Sequence, residues 1–314
     1  MRKRFVALLL CIAFVAILAA GCGQGGDQAK TTKDLSGTIN IDGSSTVYPI
    51  TEAVAEEFMK KNPNVKVTVG VSGTGGGFKR FTVGETDISD ASRPIKDAEK
   101  QKAEENKIEY LELPIAYDGI SIVVNKDNNF IQSMTVAELK KLWEPNSTIK
   151  KWNQIRPEWP DMDVKLFGPG TDSGTFDYFT EAINGKEKAS RSDFTASEDD
   201  NVLVQGVAGS KGGLGYFGYA YYAENKDKLK LVSVDDGKGN VVAPTEQTIK
   251  DGTYKPLSRP IFIYVSKAAL KKPEVKEFVK FYLTEGQKLV PQVGYVNMTK
   301  EKYDEGLAKV EAVK

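Results

Sequence analysis

The chain contains no histidine and only two cysteines, Cys11 and Cys22. Without imidazole there is no His ligand for zinc and no histidine base to activate a serine, which excludes His-dependent metal sites and the usual serine hydrolases. An excess of charge of one sign is also missing, because 43 Lys and Arg residues are matched by 43 Asp and Glu. Such a balance provides no polyanion-coating surface, so nucleic acid is not an expected partner and any anion site must be built locally. Long apolar runs are nearly absent too. The longest, Phe5 to Ala20, covers about 16 residues and is short for a membrane-spanning helix.

That run follows Arg2, Lys3 and Arg4 and ends in Ala19-Ala20-Gly21-Cys22. A basic start, an apolar middle and small residues before a cysteine predict a secretory signal over residues 1–21. Leu18-Ala19-Ala20-Gly21-Cys22 also resembles the bacterial lipobox, in which cleavage before the cysteine leaves a lipid-modified N-terminus. Ala19 stands where that pattern more commonly has Leu. Cleavage would remove Cys11, leaving Cys22 for lipidation and no partner for an internal disulfide. Three basic residues would go with the signal, so the chain from Cys22 carries 40 basic against 43 acidic residues, a formal net charge of −3. Residues 22–35 are polar, Gly-rich and without periodicity. They predict a flexible tether with a reach of roughly 20 Å, holding a folded body close to the membrane through its acyl chains.

From about residue 36 onward some 280 residues remain, more than one compact core usually spans, so two lobes are expected. Apolar patterning alternates between period two and helical spacing. Ile39 and Ile41, Val65 to Val71, Ile120 to Asn125, Leu166, Leu214 to Tyr219 and Ile261 to Val265 read as strands. Thr51 to Lys60, Phe78 to Val83, Val136 to Trp143 after Thr135, Phe176 to Ile183, Val202 to Ala208 and Pro273 to Leu283 read as helices. This alternation predicts an α/β fold with mixed, mostly parallel sheets flanked by helices.

Four strand-to-helix joints carry the candidate chemistry. The first, Gly43-Ser44-Ser45-Thr46-Val47-Tyr48-Pro49-Ile50, places hydroxyls and free N–H groups at the positive end of a helix, a ready anion site, although Ser and Thr there also serve as plain caps. The second is Ser72-Gly73-Thr74-Gly75-Gly76-Gly77-Phe78, where glycine permits close backbone approach. It lacks the Gly-Lys-Ser/Thr of a Walker loop and fails Gly-x-Gly-x-x-Gly at Phe78. The third, Asp87-Ile88-Ser89-Asp90-Ala91-Ser92-Arg93-Pro94-Ile95, sets a guanidinium beside hydroxyls, a pairing suited to an oxyanion. The fourth is Gly168-Pro169-Gly170-Thr171-Asp172-Ser173-Gly174-Thr175-Phe176. Its Asp-Ser-Gly superficially matches a protease nucleophile segment, a reading removed by the missing histidine. Elsewhere Gly213 to Gly218 fits Gly-x-Gly-x-x-Gly, but a helical pattern precedes it and the segment itself reads as strand, the reverse of a dinucleotide site. Tyr216, Phe217, Tyr219, Tyr221, Tyr222 and the three tryptophans are expected to pack rather than to bind.

Taken together these segments, with Tyr117-Asp118-Gly119-Ile120 and Pro256-Leu257-Ser258-Arg259-Pro260-Ile261, resemble the phosphate-binding lipoproteins that serve bacterial high-affinity phosphate ABC importers. The resemblance covers nearly the whole mature chain. It implies a two-lobed periplasmic-binding-protein fold of type II, with lobe one formed by 36–116 plus 260–314, lobe two by 117–259, and the ligand cleft between them. It further implies inorganic phosphate and the permease subunits as partners, no cofactor, no enzymatic activity, a monomer, and a lipid-anchored location on the extracytoplasmic face of a Gram-positive cell membrane. Thr46, the Val47 N–H, Thr74, Ser92, Ser173, Gly174 and Thr175 match the family's ligand positions. Ser45, Ser72 and Arg93 are added from their proximity to these. Two departures stand out: Ser92 replaces the Asp that accepts the proton of hydrogen phosphate in enteric members, and Pro169 replaces their cationic Arg. The expectation is therefore that Arg93 supplies the cation and that Asp118 or Asp90 supplies the acceptor. A receptor for sulfate, molybdate or tungstate is the alternative, and a secreted phosphate-processing enzyme a more distant one.

Overall fold

Period-two apolar runs become strands in the computed structural model, which describes residues 35–171, 173–197 and 199–313. The expected signal and Cys22, with the tether up to residue 34, lie outside the described residues. Among the described residues the strands are β1 (Gly37–Gly43), β2 (Val65–Val71), β3 (Ile88–Ala91), β4 (Tyr110–Asn125), β5 (Ser133–Thr135), β6 (Lys165–Gly168), β7 (Thr195–Ala196), β8 (Gly213–Gly218), β9 (Leu229–Asp235), β10 (Val241–Val242), β11 (Ser258–Ser266) and β12 (Val296–Asn297). The helices are α1 (Tyr48–Lys61), α2 (Gly73–Phe81), α3 (Asp97–Glu105), α4 (Val136–Trp143), α5 (Gly174–Phe179), α6 (Asp200–Ala208), α7 (Tyr219–Glu224), α8 (Glu246–Lys250), α9 (Pro273–Leu283) and α10 (Lys300–Glu311).

Strand order runs β2-β1-β3-β11-β4-β8-β6-β7. Parallel pairs lie on the two flanks, β1 with β2 and β3 on one side and β6 with β7 and β8 on the other. The middle is antiparallel, contrary to the mostly parallel expectation, because β4 and β11 run against each other and against their neighbours. β4 is also longer than its apolar run suggested. It begins at Tyr110 rather than Ile120 and pairs with β11 through Gly119, then with β8 from Ile120. One strand thus serves both sheets. Gly213 to Gly218 is strand β8 directly after α6, as its pattern predicted.

Helices cover the sheets by burying one apolar stripe each. From α1, Ile50, Val54 and Phe58 are buried, and Phe58 meets Phe278 of α9 edge-on with ring centroids 5.3 Å apart. Thr135 caps α4 by accepting the Glu138 N–H at 3.1 Å, while Glu138 reaches back to the Thr135 N–H at 2.8 Å. Around the far sheet Trp143 packs on Tyr216, which stacks on Phe179 at 3.7 Å. Trp152 and Trp159 pack with Phe130, so all three tryptophans belong to the core. Fully burying one such ring is worth about 1.5–3 kcal/mol.

The glycine run of the second joint is helix, not loop. α2 starts at Gly73, five residues ahead of the expected Phe78. Glycine disfavours helices by about 1 kcal/mol relative to alanine, and packing overrides that here: a Cβ on Gly77 would lie 2.6 Å from the Gly43 Cα and 2.9 Å from the Asp42 carbonyl. Only glycine lets α2 rest on the end of β1.

On the other face of β3, Asp90 is completely buried beside Thr51 and Tyr282, and neither carboxyl oxygen has a hydrogen-bond partner in the described structure. Burial pushes its carboxyl up to about 8, with the Thr51 hydroxyl opposing the rise and the Asp42 charge adding to it. Between the ordinary value near 3.8 and about 8, the folded chain therefore holds a proton that the unfolded chain has released. Stability must fall as pH rises through that window. Asp118, raised by its own burial to about 6, adds to the slope only below that pH. Urea titrations of ligand-free protein between pH 6 and pH 8 should show this decline, and Asp90→Asn should flatten it. An unchanged slope in the variant would remove Asp90 as its source.

Candidate functional site

Three of the joints leave the carboxyl ends of β1, β2 and β3, which are in register, so their loops emerge side by side. The fourth leaves β6 and opens α5, which continues directly into a π-helical turn, Thr180–Asn184. Ser45, Ser72, Asp118 and Ser173, Gly174 and Thr175 line one cleft of about 990 Å³. Thr46 lies beneath, 2% exposed, and donates its hydroxyl to the Gly174 carbonyl at 3.2 Å. Ser45 Oγ donates to Asp177 Oδ2 at 3.3 Å, a second link between the first and fourth joints. Contact is so close that a Cβ on Gly174 would lie 2.3 Å from the Thr46 Cα. Tyr295 fixes the back of the first loop by donating to the Thr46 carbonyl at 2.6 Å.

Other expected residues occupy neighbouring places. Thr74 and Ser92 join their hydroxyls at 3.0 Å, and Thr74 also accepts the Ser92 N–H at 3.1 Å, tying the second joint to the third. Ser72 donates to Asp42 at 2.9 Å, sharing that carboxylate with Arg80. Ser173 accepts the Thr175 N–H at 3.2 Å and is thus a true cap of α5. The Val47 N–H, expected to face a ligand, instead donates to the Ser44 carbonyl at 3.2 Å, and Val47 is fully buried. First-turn N–H groups of α2 and α5 have no acceptors within their own helices, and no acidic side chain occupies the first turn of α2. The α2 end therefore favours an anion, whereas α5 carries Asp177 in its first turn and has its Thr175 N–H taken by Ser173.

Arg93, the cation expected from the sequence, is occupied elsewhere. Arg93 makes a two-pronged pair with Glu99 at 2.8 and 2.9 Å and lies over Phe78, so its charge is neutralised within its own loop and helix α3. At Thr46 the guanidinium belongs to Arg259, whose Nη2 is 3.4 Å from Thr46 Oγ1. In the sequence Arg259 stands out only within the Pro256 to Ile261 segment that carries the family resemblance. A local signal was present, since Ser92-Arg93-Pro94-Ile95 recurs letter for letter as Ser258-Arg259-Pro260-Ile261.

Antiparallel pairing of β4 with β11 sets Arg259 directly opposite Asp118. Asp118 is 1% exposed and Nε of Arg259 stands 3.6 Å from its Oδ2. That is beyond a good hydrogen bond, and neither atom has another partner in the described structure. Burial pushes the Asp118 carboxyl up to about 6, with the Arg259 charge holding the rise in check. A buried donor and a buried acceptor thus face one another, each short of a hydrogen bond, next to hydroxyls and helix N-termini. Asp90, the other acceptor considered, sits below the loop, with its main-chain carbonyl taking the Ser44 N–H at 3.0 Å. Among the described residues no group of three or more acidic, His or Cys side chains is arranged to hold a metal ion, and no helix is long and apolar enough to cross a membrane.

Residues 28–285 match the model of the PBP superfamily domain. Protein SphX of Synechococcus elongatus is 52% identical over 267 residues, covering 84% of this chain and 79% of that protein. Phosphate-binding protein PstS of Staphylococcus haemolyticus is 44% identical over 298 residues, covering 93% and 92%. A crystal structure of a possible phosphate binding protein from Planctomyces limnophilus is 55% identical and superposes with a TM-score of 0.84, over 88% of this chain and 99% of that one. Fold, loop arrangement and relatives agree: this chain belongs to the PBP superfamily, in its family of phosphate-binding proteins.

Proposed function

We propose that this chain binds inorganic phosphate outside the cytoplasm and delivers it to an ABC importer. One observation carries the chemistry: the facing, unsatisfied Arg259 Nε and Asp118 Oδ2. Hydrogen phosphate offers both an oxygen that accepts from the guanidinium and a hydroxyl that donates to the carboxylate. Sulfate has no proton to give, and would leave a buried carboxylate against its oxygens. Hydroxyls of Thr74, Ser92, Ser173 and Thr175, with the opening N–H groups of α2, supply the remaining donors, and those of Ser45 and Ser72 join them by turning from Asp177 and Asp42.

Closure is the proposed binding step, with lobe one from 36–116 plus 260–314 and lobe two from 117–259 turning about β4 and β11. The Thr46 to Gly174 and Ser45 to Asp177 hydrogen bonds bridge these two segments. A lipid on Cys22 would keep the body on the outer face of the membrane, within reach of the permease.

Calorimetry with phosphate, sulfate and molybdate tests the reading, together with an assay for phosphomonoester turnover. Phosphate heat alone is expected, and tight sulfate binding without phosphate heat would overturn it. Arg259→Ala should weaken phosphate binding by more than ~1.5 kcal/mol, the scale of a charged hydrogen bond, whereas Arg93→Ala should leave affinity within about twofold because its charge is already neutralised by Glu99. Asp118→Asn removes the charged acceptor, so the ratio of phosphate to sulfate affinity should drop about tenfold or more. In Gly174→Ala the new methyl forces α5 off Thr46, and a loss of affinity larger than the loss of thermal stability is expected; unchanged binding would mean that the contact has no part in the site.

A further inference from the structure

Arg259 bears the charge of the proposed site, yet little around it fixes its orientation. Its ion pairs with Asp118 and Glu181 are both at 3.6 Å, and the Glu181 side chain is half exposed. Its hydrogen bond to Thr46 is long at 3.4 Å. The firmest contact is with an aromatic face: the guanidinium carbon lies 3.6 Å from the centre of the Tyr178 ring. That ring is itself braced. Tyr178 is buried in α5 and donates its hydroxyl to the Pro256 carbonyl at 2.7 Å, three residues before Arg259. Next to it Phe179 stacks on Tyr216, which fixes the roll of α5.

We infer that Tyr178 is a positioning residue for phosphate binding, holding the Arg259 guanidinium flat against its ring so that the N–H edge meets Thr46 and Asp118. The role rests on the phosphate reading of the site. A guanidinium donates only in its own plane, so a ring under its face selects which neighbours the N–H groups can reach. Tyr178 stands four residues after Gly174, one helical turn from the residue that packs on Thr46. The ring thus ties the aim of the cation to the seating of α5, whose first residue packs on Thr46.

The test separates the ring's charge attraction from its bulk. Phosphate affinity of the full chain is measured by calorimetry for Tyr178→Phe, for the same variant carrying one to five ring fluorines, and for Tyr178→Leu. Fluorine drains the negative face of the ring with little change in size. Tyr178→Phe should bind within about threefold of the unmodified chain, while affinity should fall stepwise with fluorination to about a tenfold loss, as a weakened cation–π contact requires. Tyr178→Leu should lose at least as much. In an Arg259→Met background the fluorine series should be flat, since no cation remains to be held. A flat series with Arg259 present, or an equal slope with Met at 259, would overturn the positioning role even if Tyr178→Leu failed to fold. Absence of phosphate heat in the unmodified chain would overturn the phosphate reading and this role with it, whereas a flat series in a chain that binds phosphate would overturn the role alone.

Discussion

A guanidinium and a carboxylate held away from water must complete their hydrogen bonds or destabilise what surrounds them. Arg259 and Asp118 are placed opposite one another by strand register, yet stand slightly too far apart to satisfy each other. Desolvation of such a pair costs several kcal/mol per ion, and attraction offsets it only when the geometry is good. The rest of the cleft can be understood from this constraint. Neutral hydroxyls and helix ends surround the pair without quenching it, and the nearest additional acid, Glu181, stays at the exposed rim. In the proposed reading, local stability is set against readiness for an oxyanion that brings its own proton.

Division of labour between loops follows. Loops leaving β1, β2 and β3 hold mostly neutral donors, and their hydroxyls brace one another, as Thr74 and Ser92 do. Such groups orient a ligand but distinguish poorly among tetrahedral oxyanions, because all of these accept hydrogen bonds. Discrimination needs an acceptor in a dry setting, where an unmatched lone pair cannot be solvated. Asp118 has that setting because it lies on the strand joining the two sheets, where β11 and the cleft wall exclude water.

Much of this was legible in the sequence, and the failures have physical causes. Alternating patterns gave the α/β class and most long elements, because the period of burial is a local property, but α3, β9 and α10 were not read from them. The four joints were found from hydroxyls and glycines after apolar runs. Gly73 to Gly77 was misread as loop since intrinsic propensity points away from helix, and only the contact of Gly77 with Gly43 explains the result. The extended start of β4 was missed because Glu112 and Pro114 interrupt its apolar pattern. Arg259 lies 213 residues from Thr46, and no periodicity reports which distant strand will pair with which. Arg93 looked the better cation until Glu99, six residues on, was seen to occupy it.

β4 has a consequence for how the molecule can be divided. A single 16-residue strand lends its first part to one sheet and its last part to the other, and both sheets fall within one compact unit. Cutting the chain between the two parts would bare an open edge on each fragment, with apolar side chains such as Ile120 and Ile122 beside it. Neither half is therefore a portable module. Insertions, tags and chimeric junctions belong in the exposed turns near Gly237 or Gly252, while exchanging one half against that of a relative would require β4 and β11 to travel together.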